Sequence, residues 1–534
     1  MKEISIGRGV IVLAISSIIL KLLSSLYMPI LSYILKDDGI AIYTIGYDVF
    51  VFLFAITSLG VQPAITKLVA EAKAIGSDEE AFNILLISKK FLLFYGGIIS
   101  ILFAILAKPI SILLNSNQSI TVFIFLSPAL FFTSILTVYR GFLQGYNGIS
   151  ILGVSNIIEQ LFNIIFSLFF AFQLIKISTS WGSTGGTIGT SLGAIGAIVY
   201  IRYILYKKYE PNFFSRKSIE NKDIIKLNNN KILKRLFLNA IPFILISAIQ
   251  NIGGIIDVFT VRTFIETDIN VKTSTLKYYT TIINVPLVLI TSLGIGVFPK
   301  IIKEYNDKNK KELVLQTSYC YKLTYIITIP SVFGLMILSK DIFKVVFNRD
   351  FGYEILLIGS VALIFMALST IQNIVLQGIN KFKFIIKVGF ISVIIKILIN
   401  IIFIRINHIN VIGAVIGNIV SFSFISICNH IRLQKYFNIK LPIINQSKAP
   451  LISAVVMSSI LLVLRYVLLN KFIADNYTKL TISILILGLI IIGGSIYFLI
   501  IILLGGIGKY ELDIISPVIY RILPIKLKNI IKNI

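Results

Sequence analysis

The sequence predicts an all-α integral membrane protein of about fourteen transmembrane helices, in two parallel six-helix lobes followed by two further helices. Three observations support this prediction: a strongly apolar composition, apolar segments of spanning length from end to end, and a resemblance between the two halves. The 534 residues are 56% hydrophobic and only 14% charged, with a mean hydropathy of +0.91. Soluble domains carry about 25% charged residues, so lipid is the main solvent of this chain.

Apolar segments define the predicted spans, since a helix needs about 20 apolar residues to cross a bilayer. The longest polar interval, about 207–235, is too short for a domain with its own core. The predicted spans are 8–34, 40–65, 88–107, 119–143, 149–173, 184–206, 236–263, 277–301, 314–338, 354–378, 384–405, 410–431, 450–469 and 480–505.

The Lys and Arg residues that give the net charge of +26 are divided unequally between the two sides of the membrane. With an inside N-terminus, the inner loops and termini carry roughly threefold more Lys and Arg than the outer loops, which is the positive-inside pattern. This predicts a multi-pass cell-membrane protein with both termini cytoplasmic, whose basic loops face anionic lipid headgroups. No basic stripe interleaved with aromatic residues indicates a nucleic-acid partner.

Short motifs repeat in the same order in both halves. Six spans separate the copies, and an even number predicts parallel repeats about an axis along the membrane normal. Glycines 185, 189, 193 and 196 add a small-residue spacing that favours close helix packing. The repeated segments are 58–60 with 292–294, 143–147 with 376–380, 163–166 with 400–403 and, more loosely, 185–189 with 413–417.

The repeat divides the chain into predicted domains. Residues 1–208 form an N-terminal six-helix lobe, 209–235 a basic cytoplasmic linker, and 236–440 a C-terminal six-helix lobe. Two extra transmembrane helices occupy 441–506. A basic amphipathic tail at 507–534 is expected to lie on the inner membrane surface.

Charged side chains interrupt the apolar runs. A charge at the centre of a spanning helix costs roughly 2.5–3.5 kcal/mol by insertion scales, so several of them predict a polar cavity inside the membrane. Such a cavity is typical of a transporter rather than of a membrane anchor or a tethered enzyme. The set consists of Lys21, Asp48, Arg140, Glu159, Asp257, Arg262 and Lys396.

Several of these residues are candidates for binding a substrate. Lys21 lies in the middle of the first span, too deep to reach either surface. Glu159, Gln160 and Asn163 form one polar stripe, because positions i and i+4 share a helix face. Glu159 is expected to pair with Lys21, to carry a proton, or to form a buried ion pair that holds the lobe together.

The other charges leave alternatives open. Arg140 is either a bidentate phosphate clamp or an ordinary inner-side arginine, and Lys396 is the expected cavity cation of the second lobe. Asp48, Asp257 and Arg262 either couple transport to an ion such as Na⁺ or H⁺, or form ion pairs, with Asp257 neutralising Arg262. No metal, nucleotide or nucleophile motif is found, so no resident cofactor and no enzymatic activity are expected.

Several motifs resemble those of the stage V sporulation protein B type of polysaccharide exporters. They are the segments 58–71, 139–145 and 158–160, the Asp257 and Arg262 pair of span seven, and Lys21 and Tyr43. This family belongs to the multidrug/oligosaccharidyl-lipid/polysaccharide exporter superfamily, together with MurJ-like lipid II flippases. The resemblance implies a MATE-like, two-lobed fold and a role in peptidoglycan, spore-cortex or other polysaccharide synthesis. Met28 and Asn163 depart from it, because the family often has basic residues there.

The resemblance implies a flippase that moves an undecaprenyl-diphosphate-linked saccharide from the inner to the outer leaflet by alternating access. Its head group would contact Lys21, Arg140, Glu159, Gln160, Asn163 and Lys396, and a cell-wall or polysaccharide polymerase is a possible partner. One alternative is a multidrug or cation antiporter of the same superfamily, which would favour an acidic cavity. Another is a non-transporting membrane subunit of a polysaccharide synthase.

Overall fold

The computed structural model describes residues 6–213, 222–438, 443–474 and 479–508. It describes side chains from residue 27 to 508 except those of 149, 208–228, 293, 295–296, 299, 439–444 and 469–480. Helices account for nearly all of these ranges, and no strand occurs in them, which confirms the all-α prediction. The helices are α1 (Ile6–Phe54), α2 (Gln62–Ala74), α3 (Asp78–Ile105), α4 (Ala107–Leu113), α5 (Ile120–Gly145), α6 (Ile149–Leu174), α7 (Thr179–Phe213), α8 (Lys222–Phe264), α9 (Ile269–Asn306), α10 (Lys310–Phe347), α11 (Glu354–Gly359), α12 (Ala362–Gly378), α13 (Phe382–Ile404), α14 (Ile412–Phe437), α15 (Ile443–Ala474) and α16 (Lys479–Leu503).

Helix α1 contains the first predicted span and most of the second. The backbone leaves helical geometry at Lys36, whose φ of 52° and ψ of −166° mark a sharp kink between the two spans. A π-helical turn at Ala55–Leu59 then separates α1 from α2. π-Bulges of this kind are rare and often lie at functional sites.

Eleven described helices are long and apolar enough to cross a membrane. One of them, Tyr27–Ala74, continues from α1 into α2, and the shorter apolar helix Ala362–Gly378 covers most of the tenth predicted span. The total of fourteen therefore remains a prediction. The predicted tail lies almost entirely outside the described residues, as does the central part of the predicted linker, 214–221.

The chain divides into two compact units, residues 1–277 and 278–534. The division lies later than the linker that the repeat predicts, because α8 packs on the first unit along its length. A Cβ built on Gly60 would lie 2.4 Å from the Cα of Ile244 on α8. Nearby, the Lys67 ammonium donates to the Asn239 side chain at 2.9 Å.

Two motifs that support the family resemblance pack on each other inside the first unit. A Cβ built on Gly145 would lie 2.6 Å from the carbonyl oxygen of Thr66, and one on Gly141 would lie 2.9 Å from the Cβ of Ile65. Helix α2 therefore rests directly on the end of α5. The segments 58–71 and 139–145 are thus the two sides of one helix contact.

The predicted close packing of the sixth span is confirmed. Glycines of α7 face the backbone of α6: a Cβ on Gly189 would lie 2.1 Å from the carbonyl oxygen of Asn163, and one on Gly193 would lie 2.5 Å from that of Glu159. No side chain fits at either position. The contact sets the position of the polar stripe on α6.

The second unit repeats this contact between α13 and α14. A Cβ built on Gly417 would lie 2.0 Å from Oδ1 of Asn400. The sequence repeat pairs Gly417 with Gly189 and Asn400 with Asn163. Equivalent residues thus meet in both units, which supports the internal repeat.

The two extra helices attach to α10 within the second unit. The Arg465 guanidinium on α15 donates two hydrogen bonds to the buried carboxylate of Asp341. The Tyr497 hydroxyl on α16 donates to the carbonyl of Ile326 at 2.9 Å.

Candidate functional site

A partly buried lysine on α9, Lys277, lies at the centre of the candidate site in the first unit. The Lys277 ammonium is 3.7 Å from Oδ1 of Asp48, and the two side chains are only 15% and 21% exposed. It also lies 5.0 Å from the ring centroid of Tyr47 and 5.7 Å from that of Tyr43. Ring faces attract a cation electrostatically, so Lys277 is stabilised by one carboxylate and two aromatic faces.

The spacing along α1 creates this arrangement. Tyr43 and Tyr47 are one turn apart, and their rings stack with centroids 5.2 Å apart. Asp48 follows Tyr47 and approaches α8, where a Cβ built on Gly254 would lie 3.0 Å from Oδ2 of Asp48. The absence of a side chain at Gly254 therefore leaves room for the carboxylate.

A second ion pair joins α5 to α6. Nη2 of Arg140 donates to Oε2 of Glu159 at 2.6 Å, with the side chains 14% and 25% exposed. This is the short, charge-assisted hydrogen bond that a buried pair requires. Of the roles expected for Glu159, the structure favours a buried pair within the lobe, with Arg140 as the partner.

The two ion pairs belong to one cluster. Helix α1, which carries Asp48, packs against α6, which carries Glu159, and the half-buried Tyr47 lies within electrostatic range of both carboxylates. We refer to Tyr43, Tyr47, Asp48, Arg140, Glu159 and Lys277 as the paired-charge cluster. Each acid in it faces a base, so its formal charge is balanced.

Amide and hydroxyl groups extend the polar surface beside this cluster. Asn163 accepts a hydrogen bond from the Ser167 hydroxyl at 3.1 Å, and Gln160 is partly buried on the same helix. The Tyr27 hydroxyl donates to the carbonyl of Gly186 at 2.7 Å, which links α1 to α7. Such neutral donors and acceptors match the hydroxyl groups of a saccharide.

Arg262 differs from its prediction. Its guanidinium donates to the carbonyl oxygens of Leu114 at 2.9 Å and Asn115 at 2.6 Å, and to the Asn270 side chain at 3.0 Å. The expected pair with Asp257 is not among these contacts. The reason is helical geometry, because residues five apart point about 140° away from each other.

The remaining predicted residues are carried by α8, α13 and α1. Asp257 is buried on α8. Lys396 is buried in the second unit, where its ammonium donates to the side-chain oxygen of Asn418. Lys21 lies on α1, but its side chain is outside the described residues. The structure thus brings Asp48, Arg140 and Glu159 into one cluster with Lys277, which sequence reasoning missed.

Lys277 was missed because it is the first residue of a predicted span. Lysines at span ends ordinarily extend to the interface, so the sequence offers no signal of burial. In the part of the chain that the structure describes, no group of three His, Cys, Asp or Glu side chains is arranged to hold a metal ion.

Comparison with known proteins assigns the chain to a family. Residues 6–303, more than half of the chain, match the model of the polysaccharide biosynthesis protein family. The chain belongs to this family. Residues 242–402 also match the MatE family. The family resemblance found in the motifs is therefore confirmed.

Curated relatives come from Bacillus subtilis (strain 168). Its lipid II flippase MurJ is 24% identical over 450 residues, which cover 79% of this chain and 82% of that protein. Its stage V sporulation protein B is 25% identical over 162 residues, which cover 29% of this chain and 30% of that protein. This chain is thus similar in sequence to a protein named lipid II flippase MurJ and to one named stage V sporulation protein B.

Solved structures share the fold. A lipid II flippase MurJ in an inward closed conformation gives a TM-score of 0.64 at 17% identity, covering 92% of this chain and 98% of that chain. An inward-facing MATE family multidrug resistance transporter gives 0.63 at 17% identity, covering 78% and 95%. The MATE-like fold is thereby confirmed, and the chain is a multi-pass membrane protein with a transporter fold.

Proposed function

We propose that this protein is a flippase that carries an undecaprenyl-diphosphate-linked saccharide from the inner to the outer leaflet by alternating access. Family membership over residues 6–303 and similarity to a lipid II flippase over 79% of the chain support the proposal. The observation that carries it is the paired-charge cluster, because charged side chains within apolar spans are rare, pair with one another and mark substrate or ion pathways.

The proposed substrate has an anionic diphosphate, a saccharide and a prenyl tail. Arg140 and Lys277 are the cations of the cluster that face the diphosphate, with Lys21 and Lys396 as further candidates from the sequence. Gln160 and Asn163 provide hydrogen bonds for sugar hydroxyls. The prenyl tail stays in the lipid while the head group crosses.

The proposed energy source is the membrane potential acting on the negative charge of the substrate. Exporting two negative charges across 100 mV, negative inside, releases roughly 4.6 kcal/mol, from about 2.3 kcal/mol per charge. A Na⁺ ion or proton at the buried Asp257 is the proposed means of resetting the carrier. A polysaccharide or cell-wall polymerase that uses the exported lipid is the proposed partner.

The test is lipid transport by the purified chain. Proteoliposomes containing the full-length protein should move a fluorescent prenyl-diphosphate saccharide between leaflets, and the gene should restore growth to a flippase-depleted strain. Lys21→Gln should abolish both activities, whereas Lys272→Gln, a lysine outside the cluster, should keep them.

The rival functions predict different results. Purified protein that moves no lipid, in a strain whose polymer synthesis nevertheless requires the gene, would support a synthase subunit. A deletion strain that becomes sensitive to cationic drugs while lipid export is normal would support a multidrug antiporter. Full growth of the Lys21→Gln strain at normal protein levels would exclude Lys21 from the mechanism.

A further inference from the structure

We propose that Lys277 is the main anion-binding residue of the site and that Asp48 is its built-in, displaceable counter-ion. The incoming diphosphate takes the place of the Asp48 carboxylate beside the ammonium, and the carboxylate returns when the substrate leaves. This inference rests on the proposed flippase function and specifies how the site recognises its substrate.

The first argument comes from distance. The contact between Lys277 and Asp48 is 3.7 Å, which is longer than the roughly 2.7–2.9 Å of a charge-assisted hydrogen bond. Nη2 of Arg140 and Oε2 of Glu159 are 2.6 Å apart, slightly shorter than that range, so these two groups share a direct hydrogen bond. An anion can therefore replace Asp48 beside Lys277 without breaking a hydrogen bond between them, whereas replacing Glu159 beside Arg140 breaks one.

The second argument comes from the aromatic faces. Tyr43 and Tyr47 hold the ammonium at 5.7 and 5.0 Å from their ring centroids. A neutral ring positions a cation without cancelling its formal charge. Lys277 therefore keeps its place when the carboxylate moves away, and its charge becomes available to the diphosphate.

The third argument comes from the connection to other helices. Asp48 belongs to α1 and lies against Gly254 of α8, and Lys277 belongs to α9. Exchange at Lys277 thus loosens the contact between α1 and α9, which ties substrate binding to a change in the packing of these two helices.

The experiment measures binding of farnesyl diphosphate to the full-length protein in detergent, with farnesol as the uncharged control. Lys277→Met should weaken binding about tenfold or more, which corresponds to about 1.4 kcal/mol or more, because it removes the charged partner of the diphosphate. Asp48→Asn should tighten it about threefold, because the competing carboxylate is gone. Lys272→Met, a charge-matched change outside the cluster, should leave binding unchanged.

A glycine variant tests the same exchange without changing a charge. The new Cβ of Gly254→Ala would crowd the Asp48 carboxylate at 3.0 Å, push it away from its present position and tighten binding in the same direction as Asp48→Asn. Gly334→Ala is the matched control, since a Cβ there would meet no atom within 4 Å.

The decisive result is that Lys277→Met and Asp48→Asn change the affinity for farnesyl diphosphate in opposite directions. A purely structural ion pair predicts that both Lys277→Met and Asp48→Asn weaken binding, so an affinity of Asp48→Asn equal to or below that of the parent overturns the exchange. If the parent moves the lipid-linked saccharide but does not bind farnesyl diphosphate, the exchange is wrong and the flippase stands. If it does neither, the flippase itself is wrong. Should Lys277→Met fail to fold, Asp48→Asn and Gly254→Ala still decide the question.

Discussion

Replacing Gly189 or Gly417 by alanine should have unequal effects, although the two glycines are equivalent in the repeat. At Gly189 the new Cβ would lie 2.1 Å from a backbone carbonyl, that of Asn163. At Gly417 the Cβ would lie 2.0 Å from Oδ1 of Asn400, the end of a side chain. Backbone moves only when a helix moves, whereas a side-chain amide can rotate.

The expected magnitudes follow from this difference. Ordinary contacts are 3.4 Å or longer, so Gly189→Ala must drive α6 and α7 apart by about 1 Å or more. Overpacking of this kind costs about 1–3 kcal/mol, and we expect the upper end of that range. Gly417→Ala should lower the free energy of unfolding by about 1 kcal/mol or less, in addition to the stabilisation lost when the Asn400 side chain rotates away from its present contacts.

The assay is a pair of double-mutant cycles on thermal unfolding of the protein in detergent. Shortening Asn400 to alanine should relieve Gly417→Ala, with a coupling of about 0.5–3 kcal/mol, the range for residues in contact. Shortening Asn163 should not relieve Gly189→Ala, because its carbonyl remains. Gly488→Ala, where a Cβ meets no atom within 4 Å, is the neutral control. Equal costs at both glycines, or rescue of Gly189→Ala by Asn163→Ala, would refute the reasoning.

Three further predictions concern buried charges, each measured as a shift in thermal unfolding. Arg140→Met should destabilise more than the double replacement of Arg140 and Glu159 by apolar residues, because removing one partner leaves a charge unpaired at about 3–5 kcal/mol; equal losses would contradict a paired state. Asp341→Asn should cost about 1.5–3 kcal/mol through Arg465, a bond to a charged group, and an unchanged midpoint would contradict that bond. Arg262→Lys should also destabilise by at least about 1 kcal/mol, because an ammonium cannot reproduce three directed bonds in fork geometry; a fully stable lysine variant would count against it.

The family motifs gain a physical meaning from the helix contact between α2 and α5. Gly141 and Gly145 are needed because Ile65 and the carbonyl of Thr66 approach them too closely for a side chain. The two motif glycines are thus explained by packing. Three other motif residues, Tyr43, Arg140 and Glu159, belong to the paired-charge cluster, and its remaining members come from positions outside the motifs.

The position of α8 shows the limit of the repeat as a guide. The repeat assigns α8 to the second half by chain order, whereas its contacts with Gly60, Lys67 and Asp48 place it in the first compact unit. Chain order reports ancestry and topology. Compact units are decided by which surfaces pack.

The amino-acid sequence was enough to predict the membrane class, the helices and the internal repeat. Apolar composition and spacing are local properties, because lipid and backbone hydrogen bonding impose them on each segment. The sequence also identified Asp48, Arg140 and Glu159 as charges within the apolar runs. Only the tertiary structure decided the partners: Glu159 meets Arg140, Asp48 meets Lys277 from a helix more than 200 residues away in sequence, and Arg262 binds backbone carbonyls instead of Asp257. Pairing depends on which helices pack side by side, and nothing in the local pattern of one helix records its neighbours.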